Sequence, residues 1–310
     1  MADTVVQALE KALGASVKAF IQIPASPGSE RCGTLELDDG RRLHLTVVSW
    51  RSPDYRSLRW ESQIASLVAA VGPRLVAEVR SQQMRLLVHE HVPGRAVDLS
   101  YGSQDLPLVG AWLRRAAQEP VAEPVDGIGD AAGWFGPARF SGWSTLSDLP
   151  PGYVADSEGQ LMHRLVALQE QAHGVLRGGH LVHGGLHPGN LLRDGDRIAA
   201  VGWHRSRFGP PWLDTALMIP RLIAAGHHPD DAERWGREHG ALDDASDSDI
   251  TAVAVAVAGQ AVHRDIYSFE RTPRASELPA SAALAWMRSR LHTAAECRHL
   301  PGRTTGGGAW

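Results

Sequence analysis

The segment from His180 to Asn190 constrains the fold of this chain most strongly. It holds three glycines and one proline within eleven residues, and both residue types interrupt regular structure, so a loop is predicted there. An amphipathic helix is predicted before it, over 160–176, and a short hairpin after it, over 191–201. The polar residues of this loop are therefore held between two regular elements.

A small unit of mixed α and β structure is predicted near the N-terminus. Residues 33–49 alternate apolar and polar side chains on both sides of Asp39-Gly40. Such a dipeptide supplies the backbone angles of a tight hairpin turn, so two antiparallel strands are expected. One helix and two strands follow, predicted at 60–71, 75–79 and 85–89.

After Pro93-Gly94 the sequence becomes mainly helical. Helices are predicted at 106–117, 160–176 and 213–225, with others to about residue 299. The run 251–262 is too short to span a bilayer and is predicted to be a buried helix. Residues 118–152 read as a long irregular insertion. Its aromatic residues either grip a ligand or pin the loop to the domain: Trp134, Phe135, Phe140 and Trp143.

Two motifs together resemble those of one enzyme family. Residues 183–192 read His-Gly-Gly-Leu-His-Pro-Gly-Asn-Leu-Leu. This segment is similar to the catalytic loop of aminoglycoside phosphotransferases and choline kinase-like proteins, which normally has Asp as its third residue. The segment Val201-Gly202-Trp203 resembles the metal-binding segment of that family, which normally carries Asp before Trp. The DGRR hairpin, Glu61, the Pro73-Arg74 pair and the HVPGR hinge follow the family's order.

The resemblance implies a fold and a division of the chain. We expect a bilobal protein-kinase-like α+β fold, with a small β-rich N-lobe and a larger, mainly helical C-lobe. The N-lobe would span residues 1–92, with an antiparallel sheet and one helix. The C-lobe would span 93–300, and residues 301–310 are expected to be disordered.

The resemblance also implies that the reactive groups are missing. Phosphoryl transfer in this fold uses a Lys on the phosphates, Mg²⁺ on Asp and Asn, and an Asp that accepts the proton of the nucleophile. Gly185 stands at the catalytic Asp, Gly202 at the magnesium Asp and Thr46 at the phosphate Lys. The chain therefore resembles a pseudokinase. No metal site and no cofactor are predicted, and binding of ATP with Mg²⁺ is not expected.

Several family positions nevertheless keep their polar residues. His183 and Asp214 match positions that brace the catalytic loop and are predicted to be structural. Asn190 matches the second metal ligand, and Glu61 matches the helix carboxylate that would pair with the missing Lys. The predicted ligand-binding cleft comprises Glu61, His183, His187, Asn190 and His204.

Two enzymatic alternatives remain open. His187 and His204 could serve a new acid–base reaction in specialised metabolism. Lys18 and Asn190 could support a weak, unconventional small-molecule phosphotransferase, since no lysine follows residue 18. The acidic cluster at 243–249 does not follow the order of a calcium loop and is predicted to be a solvated turn.

Composition limits the partners that are expected. The 310 residues carry a formal net charge of −4, which gives no general attraction to nucleic acid or to acidic membranes. Two cysteines, Cys32 and Cys297, cannot form a disulfide framework and suit a reducing cytoplasm. We therefore expect a cytoplasmic protein whose former kinase cleft binds an unidentified small molecule or protein partner.

Overall fold

The computed structural model describes residues 3–23, 31–52, 55–81, 83–119, 131, 141–150, 152–267 and 277–299. From 293 to 299 only the backbone is described. The predicted disordered tail and the aromatic residues Trp134, Phe135 and Phe140 lie outside these ranges.

Five antiparallel strands form the N-terminal sheet, in the order β1-β2-β3-β5-β4. They are β1 (Val17–Ile23), β2 (Arg31–Leu37), β3 (Arg42–Ser49), β4 (Leu75–Arg80) and β5 (Met84–Glu90). The predicted hairpin is confirmed, because β2 pairs with β3 around Gly40, whose φ of 87° favours glycine. Helix α1 (Asp3–Leu13) buries Val5 and Leu9 against the same core as the sheet.

The helix predicted over 60–71 differs from the observed one. Helix α2 spans Tyr55–Gln63, and a short α3 follows at Ala65–Val68. The segment ends before residue 71 because the chain turns closely against the C-lobe at Gly72. A Cβ atom there would lie 2.8 Å from Nε1 of Trp203 and 2.9 Å from the carbonyl oxygen of Ala200.

Three short strands join the hinge to the loop region. They are β6 (Arg95–Ala96), β8 (Leu191–Asp194) and β9 (Arg197–Ala200), while β7 (His180–Val182) pairs separately with β10 (Arg207–Gly209). The carboxylate of Asp105 is 1% exposed and binds both Arg95 and Arg193. These ion pairs attach the hinge strand to the hairpin that follows the loop.

The rest of the described chain is helical. Its helices are α4 (Leu106–Gln118), α5 (Gly142–Ser147), α6 (Asp156–Gly159), α7 (Met162–Val175), α8 (Leu213–Ala224), α9 (Pro229–His239), α10 (Asp247–Tyr267) and α11 (Ala280–His299). Helix α10 contains the apolar run and is buried over most of its length, as predicted. No helix in the described ranges is long and apolar enough to cross a membrane.

Part of the predicted irregular insertion is ordered as helix α5. Its Trp143 side chain is fully buried, and the indole N–H donates to the carbonyl oxygen of Val255 at 2.7 Å. Gly259 of α10 makes room for the ring, because a Cβ there would meet it at 2.5 Å. Trp143 therefore pins this part of the insertion to the core instead of facing a ligand.

Candidate functional site

A cavity of about 340 Å³ lies between the N-terminal sheet, helices α2 and α3, and the loop after β7. The structure brings most of the residues singled out in the sequence together in its wall. These are Thr46, Glu61, His183, Gly185, His187, Asn190, Gly202 and His204. Asp214 is not in the wall and lies behind the loop.

The loop is braced from behind by the Asp214 carboxylate. Its two oxygens accept hydrogen bonds from the backbone N–H groups of His183 at 2.6 Å and Gly184 at 2.9 Å. Burial raises the pKa of Asp214 to about 6, although these two hydrogen bonds act in the opposite direction. Asp214 thus contacts the loop through two of its backbone N–H groups, as a bracing residue would.

The His183 ring supports the next segment of the chain. Its Nε2 atom faces the carbonyl oxygen of Val201 at 3.1 Å, and the ring packs against Trp203 with centroids 4.8 Å apart. The pKa of His183 falls to about 3, chiefly because the ring is buried. A neutral imidazole therefore connects the loop to the segment that begins at Gly202.

Asn190 closes the loop upon itself. Its Oδ1 atom accepts the backbone N–H of His187 at 2.8 Å, and its Nδ2 atom donates to the carbonyl oxygen of Gly185 at 3.0 Å. Both ends of the amide are thus used inside the loop. The oxygen that would be available to a metal ion already accepts a hydrogen bond.

The space beside Gly185 is occupied by an arginine side chain. A Cβ atom at Gly185 would lie 3.0 Å from Cδ of Arg205, which is tighter than ordinary van der Waals contact. Arg205 also lines the cavity. The aliphatic part of the Arg205 side chain therefore lies against the position where the resemblance implies a catalytic carboxylate.

Gly202 begins the second motif in a left-handed conformation, with φ 78° and ψ 52°. A Cβ atom there would meet the His204 ring only at 3.8 Å, so the space in front of it is open. Of the amino acids with side chains, Asp and Asn tolerate this conformation best. A Cβ atom therefore fits at this position, although the left-handed backbone there strains any side chain.

Glu61 has a partner other than a lysine. Its Oε1 atom accepts the backbone N–H of Trp203 at 3.1 Å, which joins helix α2 to the turn after Gly202. Burial raises the pKa of Glu61 to about 7, and the hydrogen bond only partly opposes that shift. Thr46 lies on β3 in the same wall, and Lys18 is exposed on β1 and lies outside the wall.

The pH dependence of the free energy of unfolding tests whether the Glu61 carboxyl is buried with a raised pKa. The unfolded carboxyl, with a pKa near 4.5, loses its proton before the folded one, so rising pH favours unfolding up to about pH 7. Glu61→Gln cannot ionise. We expect this variant to match the parent near pH 4.5 and to be more stable by about 2–3 kcal/mol at pH 8.

Urea denaturation at a series of pH values measures this difference, with the exposed Glu238→Gln as the control for a change in charge. A difference between parent and Glu61→Gln that stayed constant across the series would contradict the buried carboxyl. Only a group that titrates can produce a difference that grows with pH.

Sequence reasoning missed three histidines of the cavity wall. His44 and His89 are cross-strand neighbours on β3 and β5, and His91 follows at the hinge. Their pKa values are lowered, chiefly by burial, to about 4 in the case of His89. His44 lies two residues before Thr46, so strand alternation could have revealed it.

The histidines proposed for a new acid–base reaction also lie in the wall. His187 and His204 line the cavity, and burial is the main reason that the pKa of each falls to about 4. His180 pairs with Gly209 in a separate sheet and is not in the wall. Among the described residues, no three potential ligands converge well enough to hold a metal ion.

Solved structures share this architecture. An aminoglycoside phosphotransferase from Alicyclobacillus acidocaldarius superposes with a TM-score of 0.61 at 16% identity, covering 96% of this chain and 97% of that one. A thermostable mutant of aminoglycoside phosphotransferase APH(4)-Ia, in its apo form, gives 0.57 at 18% identity, covering 96% and 100%. Amicoumacin kinase hAmiN, solved in complex with AMP-PNP, Ca²⁺ and Ami, gives a TM-score of 0.56 at 16% identity, covering 96% of this chain and 94% of that one. At these identities the likeness concerns the fold.

The sheet, hinge, braced loop and helical region thus define a protein with the bilobal protein-kinase-like fold. A family model matches residues 34–248, and the chain belongs to that family, described as the phosphotransferase enzyme family. The expected fold and family are confirmed. No curated protein sequence matches the chain significantly.

Proposed function

We propose that this chain is a catalytically inactive member of its family, a pseudokinase that binds a ligand in its cleft and serves an accessory or regulatory role. One observation carries the proposal. Within the described part of the chain, the cavity wall contains no aspartate and no lysine. Phosphoryl transfer depends on such groups, because it proceeds mainly by neutralising and positioning phosphate charge.

The carboxylates that do line the cavity are already engaged. Glu61 accepts the N–H of Trp203, and Glu90 binds Arg74 through its Nε atom at 2.8 Å. Mg²⁺ binds proteins through few ligands, and at least one is usually a carboxylate. The Asn190 amide oxygen accepts one hydrogen bond within its loop, and no aspartate accompanies it in the described part of the wall.

A new histidine-based reaction has weaker support. An effective general base has a pKa near the working pH, whereas the pKa values of His187 and His204 are about 4. A weak phosphotransferase that uses Lys18 has no support in the cavity geometry, because Lys18 is exposed on β1 outside the wall. The cavity volume is instead suited to binding a small molecule.

Calorimetric titration with ATP tests the proposal. We expect the full-length protein to show no Mg²⁺-dependent ATP binding and no transfer or hydrolysis of the γ-phosphate. Micromolar binding that requires Mg²⁺, or turnover of ATP above the rate without protein, would contradict it.

A variant that restores the charged groups tests whether their absence prevents Mg²⁺-dependent ATP binding. Thr46→Lys, Gly185→Asp and Gly202→Asp together restore the three charged side chains that the family motif implies. A Cβ atom at Gly202 meets only ordinary van der Waals contacts but strains the backbone, and the Arg205 side chain must move aside at Gly185. We expect this variant to gain Mg²⁺-dependent ATP binding, which calorimetry measures under the same conditions.

A further inference from the structure

The cavity wall has an unusual distribution of charge. Among the described residues that line it, Arg205 is the sole arginine, and the wall has no lysine. Burial lowers the pKa values of the histidines around it, so they are neutral at pH 7. Arg205 therefore supplies the permanent positive charge of the wall.

The backbone that carries Arg205 is held firmly. Residues Trp203–Arg205 form a short 3₁₀ turn. The N–H of Trp203 donates to Glu61, and the N–H of Ser206 donates to the carbonyl oxygen of Trp203 at 3.0 Å. The start of the Arg205 side chain is thus fixed, while the residue is exposed and lines the cavity. A guanidinium has five N–H donors, so it can hold a contact elsewhere and still bind a ligand.

A second cation lies nearby in the C-lobe. The pKa of Arg221 falls to about 10, first because of burial and then because of repulsion from Arg205. Both arginines also lower the pKa of His187, so the two guanidinium groups act on the same region of the loop. An anion bound there would relieve the repulsion between like charges.

The remaining wall is suited to an apolar body. Leu58, Val68 and Cys32 line it and are nearly fully buried. One exposed cation beside an apolar wall matches a ligand with one negative charge and an apolar part. A nucleoside triphosphate carries several negative charges, which one wall cation without a metal ion cannot neutralise.

On this basis we propose that the cavity binds a small carboxylate with an apolar body, paired directly with Arg205 and without a metal ion. This inference rests on the proposed function, because it assumes that the cleft no longer holds ATP with Mg²⁺. It assigns the part of the cavity next to Arg205 to the head group of the ligand.

Calorimetric or NMR titration of the full-length protein with benzoate in the presence of EDTA tests the inference. Benzamide, which has the same shape without the charge, and phenyl phosphate, which carries more charge, are the comparison probes. We expect benzoate to bind at least about tenfold more tightly than benzamide, since a charge-assisted hydrogen bond is about twice as strong as a neutral one. Added NaCl should weaken benzoate binding.

Two variants locate the binding site. Arg205→Met keeps most of the side chain and removes the charge, and we expect it to lose about tenfold in benzoate affinity. Gly185→Asp places a carboxylate beside Arg205 and should lower the affinity as strongly. Arg234→Met, an exposed arginine on α9 that pairs with Asp231, is the matched control and should bind benzoate as the parent does.

Several outcomes would overturn the inference. Equal affinity for benzoate and benzamide, tighter binding of phenyl phosphate, or parent-like binding by both Arg205→Met and Gly185→Asp would each exclude the carboxylate site. Absence of benzoate binding up to its solubility limit would do the same. Mg²⁺-dependent ATP binding, measured separately, would contradict the proposed function, so the two failures can be distinguished.

Discussion

Replacing Asp214 with alanine is expected to lower the free energy of unfolding by about 3 kcal/mol. The carboxylate is 6% exposed and accepts the backbone N–H groups of His183 and Gly184. Without it, two buried N–H donors lose their acceptor, and each such loss costs about 1–3 kcal/mol. Urea denaturation at pH 7 measures the change.

Two further variants show whether the loss comes from the hydrogen bonds. Asp214→Asn keeps one acceptor oxygen and should lose less than Asp214→Ala. The exposed Asp243→Ala should change stability by no more than about 0.5 kcal/mol. A parent-like stability of Asp214→Ala would mean that the loop does not depend on this brace.

Replacing Trp143 with alanine is expected to cost about 3–5 kcal/mol, as large aromatic deletions in protein cores do. The side chain is fully buried against α10, and its indole N–H donates to Val255. The backbone N–H of Trp143 also donates to Oε1 of Gln169 at 2.8 Å, so this turn of α5 is fixed from two sides. Deletion of the ring leaves a cavity and removes the indole hydrogen bond to Val255.

Thermal and urea denaturation of Trp143→Ala measure this cost. Trp50→Ala is the matched control, because the Trp50 side chain is 53% exposed on the N-terminal sheet. We expect Trp50→Ala to differ little from the parent. Equal losses for the two variants would contradict the view that α5 is anchored to the core by Trp143.

Much of the fold could be predicted from local patterns. The alternation around Asp39-Gly40 predicted the hairpin because a strand repeats its side-chain direction every two residues. The apolar run within α10 predicted a buried helix for a similar local reason. The bounds of α2 and α3 could not be predicted, because the chain turns there where Gly72 meets Trp203 and Ala200 from the other lobe.

The candidate site also contains residues that the sequence could predict and residues that it could not. The motif residues could be assigned from their order along the chain, since a loop of that composition between a helix and a hairpin is a local pattern. The resemblance to the family motif then implies that Gly185, Gly202 and Thr46 stand where charged groups are expected. The three further histidines are a different case, because only the pairing of β3 with β5 brings His44 beside His89.

Arg205 shows the limit of sequence reasoning most clearly. Nothing in its neighbours along the chain indicates that its side chain lies against Gly185, twenty residues earlier in the sequence. The sequence places glycine at position 185, whereas the tertiary structure decided that the Arg205 side chain lies against it. The reason is physical: side-chain identity is a local property, but the atoms that surround a side chain depend on how distant segments pack.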